Sequence, residues 1–233
     1  MALPVLIIGR SGSGKTYSLK SFQQEDVGVI SVEKGRLPFK SDLRVARIPK
    51  FENSPDIQTS AQISAARYSY VENVIKKANA KSIVIDDSQY LMANEFFDRA
   101  KENGYQKFTD IALNFRNMIH FINDLEEEDK IVYFLHHSEQ NDDGREKIKT
   151  IGKMLDEKLT VEGCFDIVLY CRDQHFYTQG DGISTAKTPE GMFDAVEIPN
   201  NLKAVDDAIR EYYGITIKKD KKAKKAETKE ETK

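Results

Sequence analysis

The fold of this chain is decided by one stretch near its start, Gly9-Arg10-Ser11-Gly12-Ser13-Gly14-Lys15-Thr16. The stretch fits the pattern G-x-x-x-x-G-K-[ST], in which glycines let successive backbone N–H groups turn inward to hold a phosphate. It follows an apolar run at residues 3–8 and precedes a helical pattern at about residues 15–24. A strand, a phosphate-binding loop and a helix are therefore predicted in this order.

The motif also predicts the ligands of a nucleotide and a metal ion. We expect Lys15 to reach the β- and γ-phosphates and Thr16 to ligate Mg²⁺. A second nucleotide-binding element is the apolar strand 82–86, which ends in Asp86 as a Walker B strand does, so Asp86 is expected to bind Mg²⁺ through water. ATP and Mg²⁺ are the expected cofactors. The predicted nucleotide-binding residues are Gly9, Arg10, Ser11, Gly12, Ser13, Gly14, Lys15, Thr16 and Tyr17.

The order of apolar patterns predicts an α/β fold. Short strands alternate with helical stretches, which is typical of a mostly parallel sheet covered by helices on both faces. After residue 160 short strands and tight turns follow one another, so an antiparallel edge is expected there. The predicted strands are 3–8, 27–32, 82–86, 131–135, 165–171, 174–178 and about 184–187, and the predicted helices are about 60–78, about 90–125 and about 201–213.

Composition sets the domain organisation. The chain has 233 residues, 39% of them hydrophobic, which suits one globular domain at residues 1–217. Residues 218–233 hold eight lysines against four acidic residues and too little apolar surface to fold alone, so a disordered tail is predicted.

The longest apolar run, residues 3–8, is far shorter than the roughly 20 residues of a spanning helix. No secretory signal is evident, so a cytoplasmic protein without a membrane segment is expected.

Two carboxylates are candidates for the base that activates water. Glu33 follows the second strand, where it would lie across the site from the phosphate loop. Asp87 follows Asp86 directly, which is where AAA+ proteins place their base. The position of Glu33 resembles that of the base in a RecA-type core, whereas an AAA+ core would use Asp87, and the sequence favours Glu33.

The fourth strand, residues 131–135, runs directly into His136 and His137. Polar side chains at this strand end should face the γ-phosphate, and His137 is the predicted sensor of that group. Two adjacent histidines could also suggest a metal site. Adjacent residues on a strand point to opposite faces, however, so sharing one ion is disfavoured.

Together these features resemble a bacteriophage nucleotide-binding protein built on an isolated RecA-like P-loop ATPase core. The resemblance covers about residues 3–195 and includes the phosphate loop, Glu33, Asp86, the His136-His137 strand end and the segment 186–193. It implies a role in phage DNA recombination or single-strand annealing, in the host cytoplasm. The implied partners are single-stranded DNA, a single-stranded DNA-binding protein and further copies of the chain.

The resemblance also implies roles for several basic residues. Lys187 matches a strand from which related proteins extend a basic finger into the neighbouring subunit's nucleotide, although Thr188 and Pro189 stand where a second basic residue is usual. The stretches 88–108 and 138–163 match the two DNA-binding loops of RecA-like recombinases, where cations would neutralise phosphates. The implied DNA-binding residues are Lys107, Arg145, Lys147, Lys149 and Lys153.

Two other function classes stay open from the sequence. A nucleotide kinase would need an arginine-rich lid, and the candidate stretch 138–163 holds only Arg145. A nucleotide-gated accessory or loader protein, in which ATP sets conformation with little turnover, fits the same motifs. Measuring phosphate release with and without single-stranded DNA would distinguish these functions from a DNA-dependent ATPase.

Overall fold

The structure is a computed structural model and describes residues 1–33, 36–51, 54–151, 160–180 and 182–216. Its centre is a nine-stranded sheet with the order β3-β2-β4-β5-β1-β7-β8-β9, and β6 pairs with β5 outside this path. The strands are β1 (Leu3–Gly9), β2 (Val27–Ser31), β3 (Val45–Arg47), β4 (Ser82–Asp86), β5 (Ile131–Gln140), β6 (Glu146–Ile148), β7 (Ile167–Arg172), β8 (His175–Tyr177) and β9 (Glu197–Pro199).

The central strands are parallel, from β3 through β7 along the sheet, while β8 and β9 extend it in antiparallel pairing. Alternate side chains of β1 enter different cores: Leu6 and Ile8 lie in one apolar cluster, and Val5 and Ile7 in the other. Because both faces are covered, these strands are apolar throughout rather than alternating. The predicted α/β P-loop architecture with an antiparallel edge is confirmed.

Helices cover both faces of the sheet. The helices are α1 (Ser60–Lys77), α2 (Gln89–Asp98), α3 (Gln106–Asn123) and α4 (Leu202–Tyr213). The first three bury apolar side chains in one cluster, whereas α4 packs in the other with a short 3₁₀ helix, Thr16–Ser21. Thr59 and Gln62 form a capping box at the start of α1, and Gly214, with φ of 63°, ends α4 as the sequence predicted.

A buried polar cluster fixes α4 against the sheet. Asp206 accepts hydrogen bonds from the Ser82 hydroxyl over 2.7 Å and from the Tyr133 hydroxyl over 2.8 Å. Arg210 Nε donates to Asp206 over 2.8 Å, and its Nη1 donates to the carbonyl of Asp129. Every one of these buried polar groups has a partner, which is the condition for burying them without a large penalty.

Several predicted elements differ in the structure. The helix predicted at residues 15–24 is a single 3₁₀ segment, Thr16–Ser21, and the strand predicted at 184–187 forms only isolated bridges at residues 184 and 187. β5 continues to Gln140 and pairs with β6, so the stretch 138–148 is a β-hairpin rather than an irregular loop. The tail 218–233 lies outside the described residues. No helix in the described part of the chain combines the length and apolarity that crossing a membrane requires.

Candidate nucleotide site

The phosphate loop connects β1 to the 3₁₀ helix and carries two glycines with positive φ, 80° at Gly12 and 109° at Gly14. Such values strain any residue with a Cβ, which explains the glycines at these positions. The buried Lys15 folds back along the loop, where its Nζ donates to the carbonyls of Gly9 over 2.6 Å and Arg10 over 3.0 Å. The lysine thus lies inside the loop.

Thr16 and Asp86 meet across the site. The Thr16 hydroxyl donates to Asp86 Oδ1 over 2.8 Å, joining the end of the loop to the end of β4. Burial raises the pKa of Asp86 to about 6; the Thr16 hydrogen bond and Lys15 oppose this shift, and the neighbouring Asp87 carboxyl adds to it. A hydroxyl and a buried, electrostatically unfavourable carboxylate at this spacing suit a hard cation such as Mg²⁺.

Asp87 is turned towards the same site by an uncommon backbone conformation. Its φ is 60°, in the left-handed region that non-glycine residues seldom adopt. His137 Nε2 lies 3.2 Å from Asp87 Oδ1, and Tyr90 packs edge-on against the His137 ring with centroids 6.0 Å apart. Because β5 lies between β1 and β4, and His137 is in register with Gly9, the histidine stands between the phosphate loop and the carboxylates.

His136 has a separate structural role. Its Nε2 donates to the Lys149 carbonyl over 2.8 Å, so its Nδ1 is the acceptor of the Ser88 hydroxyl at the same distance. Burial lowers the pKa of His136 to about 3, which keeps the ring neutral. Both ring nitrogens of His136 are thus engaged in hydrogen bonds to Ser88 and Lys149.

The phosphate loop and the polar residues opposite it line one pocket of about 620 Å³. The pocket contains Lys15, Thr16, Asp86, Asp87 and His137, all of which were predicted from the sequence. Three further lining residues were not predicted, since no local motif marks them: Arg36, Pro38 and Gln174. The remaining lining residues are Ser11, Gly12, Ser13, Gly14 and Tyr17. Gly9 and Arg10, the other two predicted nucleotide-binding residues, do not line it.

Arg10 instead faces the β5–β6 hairpin. Its Nε donates to Glu146 Oε1 over 2.7 Å, and the Ser138 hydroxyl donates to the other carboxylate oxygen over 2.5 Å. Burial of Glu146 raises its pKa, but the bonds from Arg10 and Ser138 outweigh that effect, and the net pKa is lowered. The phosphate loop and the hairpin are therefore joined by a charged pair.

Glu33, a predicted base, and Lys187, the implied trans finger, lie elsewhere. β2 ends at Ser31, and the exposed Glu33 side chain beyond it is 3.4 Å from Asn94 Nδ2 and is absent from the described lining of the pocket. Lys187 is exposed and pairs through its backbone with Val168; the described lining of the pocket does not include it either. The structure therefore places Asp87, but not Glu33 or Lys187, in the described lining of the pocket.

The residues implied for DNA binding fall into separate environments. Lys107 is half-buried, and its Nζ donates to the carbonyl of Glu102 over 2.9 Å, shortly after the end of α2. Arg145 is exposed at the hairpin turn, and Lys147 lies 3.6 Å from Glu139. Lys149 is half-buried, and Lys153 lies outside the described residues. Of the four described cations, Arg145, Lys147 and Lys149 lie on or beside β6, whereas Lys107 lies on α3.

The fold and the pocket define a P-loop nucleotide-binding protein. Comparison with protein families matches residues 1–193 to AAA_24, described as an AAA domain, and the chain belongs to this family. Comparison with curated proteins gives no match. Among solved structures, a KaiC-like protein from the hyperthermophilic archaeon Pyrococcus horikoshii is similar, with 13% sequence identity, a TM-score of 0.37, and coverage of 72% of this chain and 71% of that chain.

Proposed function

We propose that this protein binds ATP with Mg²⁺ in the pocket beside the phosphate loop and hydrolyses it. The observation that carries the proposal is the convergence of Lys15, Thr16, Asp86, Asp87 and His137 on one cavity. The donor set suits the ligands: Lys15 and the loop amides would hold phosphates, and Thr16 and Asp86 would hold Mg²⁺. When bound, Mg²⁺ neutralises charge on the phosphate oxygens.

Asp87 is the residue proposed to activate water. It follows Asp86 directly, as the base does in AAA+ proteins, and membership of an AAA domain family supports this assignment. Its carboxylate accepts from His137 Nε2, and both side chains line the pocket. The Asp87 carboxylate would take the proton of the attacking water, while the hydrogen bond from His137 holds the carboxylate in place.

Phosphate release at saturating MgATP tests this function. We expect steady turnover by the native chain and none by Lys15→Ala, because no other cation among the described lining residues lies inside the loop. Lys203→Ala is the matched control, since that lysine pairs with Asp207 on the exposed face of α4. Turnover by Lys15→Ala equal to that of the native chain would exclude this pocket as the ATPase site.

We further propose that the ATPase acts in phage DNA recombination or annealing by coupling ATP to single-stranded DNA, with a single-stranded DNA-binding protein and further copies of the chain as partners. The supporting observation is local. The Lys149 backbone N–H donates to the His137 carbonyl over 2.9 Å, and the Lys149 carbonyl accepts from His136. A shift of His137 on ATP binding would therefore reach the hairpin that carries Lys147 and Lys149.

An accessory or loader protein with little turnover is the competing function. Such a protein would bind ATP in the same pocket but hydrolyse it much more slowly, so ATP binding and hydrolysis must be measured on the same sample. A native chain that binds ATP tightly but releases phosphate no faster than Asp87→Asn would identify the accessory function. A nucleotide kinase would instead require a small phosphate acceptor, and the AAA domain match favours an ATPase.

A further inference from the structure

The phosphate loop is contacted by residues from the antiparallel edge of the sheet. Gln174 N–H donates to the Ser13 carbonyl over 3.2 Å, and the Cys171 thiol lies 3.3 Å from the same oxygen. Asn200 Nδ2 donates to the Gly14 carbonyl over 3.0 Å. Two successive loop carbonyls are therefore bound by residues from this edge of the sheet.

A tight turn brings Gln174 to this position. Arg172 and His175 are paired across β7 and β8, so Asp173 and Gln174 form a two-residue connection. Their φ values are 50° and 62°, both left-handed, as a hairpin turn of this length requires. The turn places Gln174 against the loop and among the residues that line the pocket.

Asn200 orients the Gln174 side chain. The Gly14 carbonyl can only accept, so the Asn200 atom beside it is the amide nitrogen. The same nitrogen lies 3.1 Å from Gln174 Oε1, which fixes that atom as the acceptor. Gln174 Nε2 is then the remaining donor group of a side chain that lines the pocket.

The fit between this pair and the loop is close. A Cβ on Gly14 would lie 2.6 Å from Asn200 Nδ2 and 2.7 Å from Gln174 Oε1, so the space beside the glycine is filled by the two amides. Asn200 lies between β9 and α4, beyond residue 193 where the family match ends. The contact is therefore made by a part of this chain outside the matched AAA domain.

We propose that Asn200 and Gln174 form a nucleotide-positioning pair. Asn200 donates to the Gly14 carbonyl, which also accepts from the Ser18 N–H over 3.0 Å, and so helps to hold the loop in the conformation that binds the β-phosphate, and Gln174 Nε2 donates to the bound nucleotide. This inference rests on the proposed nucleotide-binding function. The pair acts in nucleotide binding and not in the hydrolysis step. Its loss therefore weakens nucleotide binding and leaves the turnover rate at saturating ATP nearly unchanged.

Titration of the full-length protein with a fluorescent ADP analogue tests the pair, together with KM and kcat for ATP. Asn200→Ala should weaken ADP binding about tenfold and raise KM by a similar factor, with kcat within about twofold. Asn200→Asp is nearly isosteric but sets a carboxylate against the Gly14 carbonyl, so its loss should be larger. Gln179→Ala is the control, because this amide bonds Thr188 on the same edge and does not line the described pocket.

Gln174→Glu separates nucleotide contact from structural support. Its carboxylate can still accept from Asn200 but has lost the donor and faces phosphates with a negative charge, so ADP binding should fall below that of Gln174→Ala. Equal ADP affinity in the native chain, Asn200→Ala and Gln174→Glu would overturn the inference alone. Absence of ADP binding by the native chain and by Gln179→Ala would overturn the proposed function and the inference with it.

Discussion

The Thr16 hydroxyl donates to Asp86 Oδ1 over 2.8 Å, linking the phosphate loop to the end of β4. The bond holds two residues 70 positions apart in the chain, and it buries the Asp86 carboxyl beside Asp87. Burial raises the pKa of Asp86 to about 6, so the ionised form is unfavourable until a cation balances it. The proposed Mg²⁺ site of Thr16 and Asp86 thus carries a cost in stability when no cation is bound.

Asp86→Asn should therefore stabilise the protein without ligands while abolishing Mg²⁺-dependent hydrolysis. The native-state pKa lies above the unfolded value of 3.8, so the unfolded chain loses this proton first as pH rises. The free energy of unfolding falls between about pH 4 and pH 6 and stays low above that range. The amide keeps an oxygen for Thr16 but carries no charge, so we expect a gain of about 1–3 kcal/mol at pH 8.

Denaturant unfolding at pH 8 and pH 4, without Mg²⁺ or nucleotide, measures this effect. The gain of Asp86→Asn should shrink towards zero at pH 4, where the native Asp86 is already protonated. A gain that is equal at both pH values would show that burial of the charge is not its source.

Asp87→Asn and Glu33→Gln distinguish the two candidate bases. Asp87→Asn should bind ATP but release phosphate about 10²- to 10⁴-fold more slowly, the range that general base catalysis contributes. Glu33→Gln should turn over at nearly the native rate, because Glu33 is exposed and lies outside the described pocket lining. Measured under single-turnover conditions, the opposite pattern would assign the base to Glu33 and favour the RecA-type arrangement.

The parts of the site that the sequence predicted are those encoded by local patterns. The phosphate loop follows directly from its glycine spacing, and Asp86 from the apolar strand that it ends. Gln174 and Asn200 could not be predicted, because the sheet order alone brings the β7–β8 turn and the start of α4 to the loop. The position of Glu33 also needed the structure, because β2 stops at Ser31 and a strand end in the sequence does not fix where a side chain two residues further on points.

The hairpin of β5 and β6 also required tertiary information. The segment 138–148 is polar and reads as a loop, yet Ser138 and Glu146 are buried because Arg10 and the segment around residue 184 cover them. Polar strands of this kind lack the apolar alternation on which sequence prediction depends.

Glu146→Gln should destabilise the protein at neutral pH. The bonds from Arg10 and Ser138 outweigh burial and lower the pKa of Glu146 below its ordinary value of 4.5, so the carboxylate stabilises the fold above that pH. We expect a loss of about 1–2 kcal/mol in the free energy of unfolding at pH 7. The loss should diminish as pH falls below 4.5, and a loss independent of pH would rule out the charge as its cause.

Deletion of residues 218–233 should leave the fold and ATP hydrolysis intact. The eight lysines of this segment are interleaved with acidic residues, and the sequence predicts that the globular domain ends at residue 217. Any contribution of the tail to DNA binding is electrostatic, so it should be visible only at low salt. Thermal unfolding, phosphate release and DNA titration at two salt concentrations test this, and an unfolded truncated chain would show that the tail is structural.

The last prediction concerns the proposed coupling of ATP to single-stranded DNA. Replacing Lys147, Lys149 and Lys153 together by Ala should weaken DNA binding and reduce its salt dependence, because fewer cations then displace counterions. The matched control replaces Lys50, Lys76 and Lys77, which removes the same charge from exposed positions distant in sequence from the hairpin.

His137→Ala tests the coupling itself. In the native chain ATP and DNA should each tighten the other's binding by the same factor, about 5- to 150-fold if the coupling is typical of allosteric pairs. His137→Ala removes the side chain that contacts Asp87 but keeps the backbone bonds to Lys149, so DNA should still bind with an affinity that no longer depends on ATP. Fluorescence anisotropy of labelled single-stranded DNA, with and without MgATP, measures both affinities. Unchanged DNA affinity and salt slope in the hairpin triple variant would favour the accessory function, with the hairpin facing a protein instead of DNA.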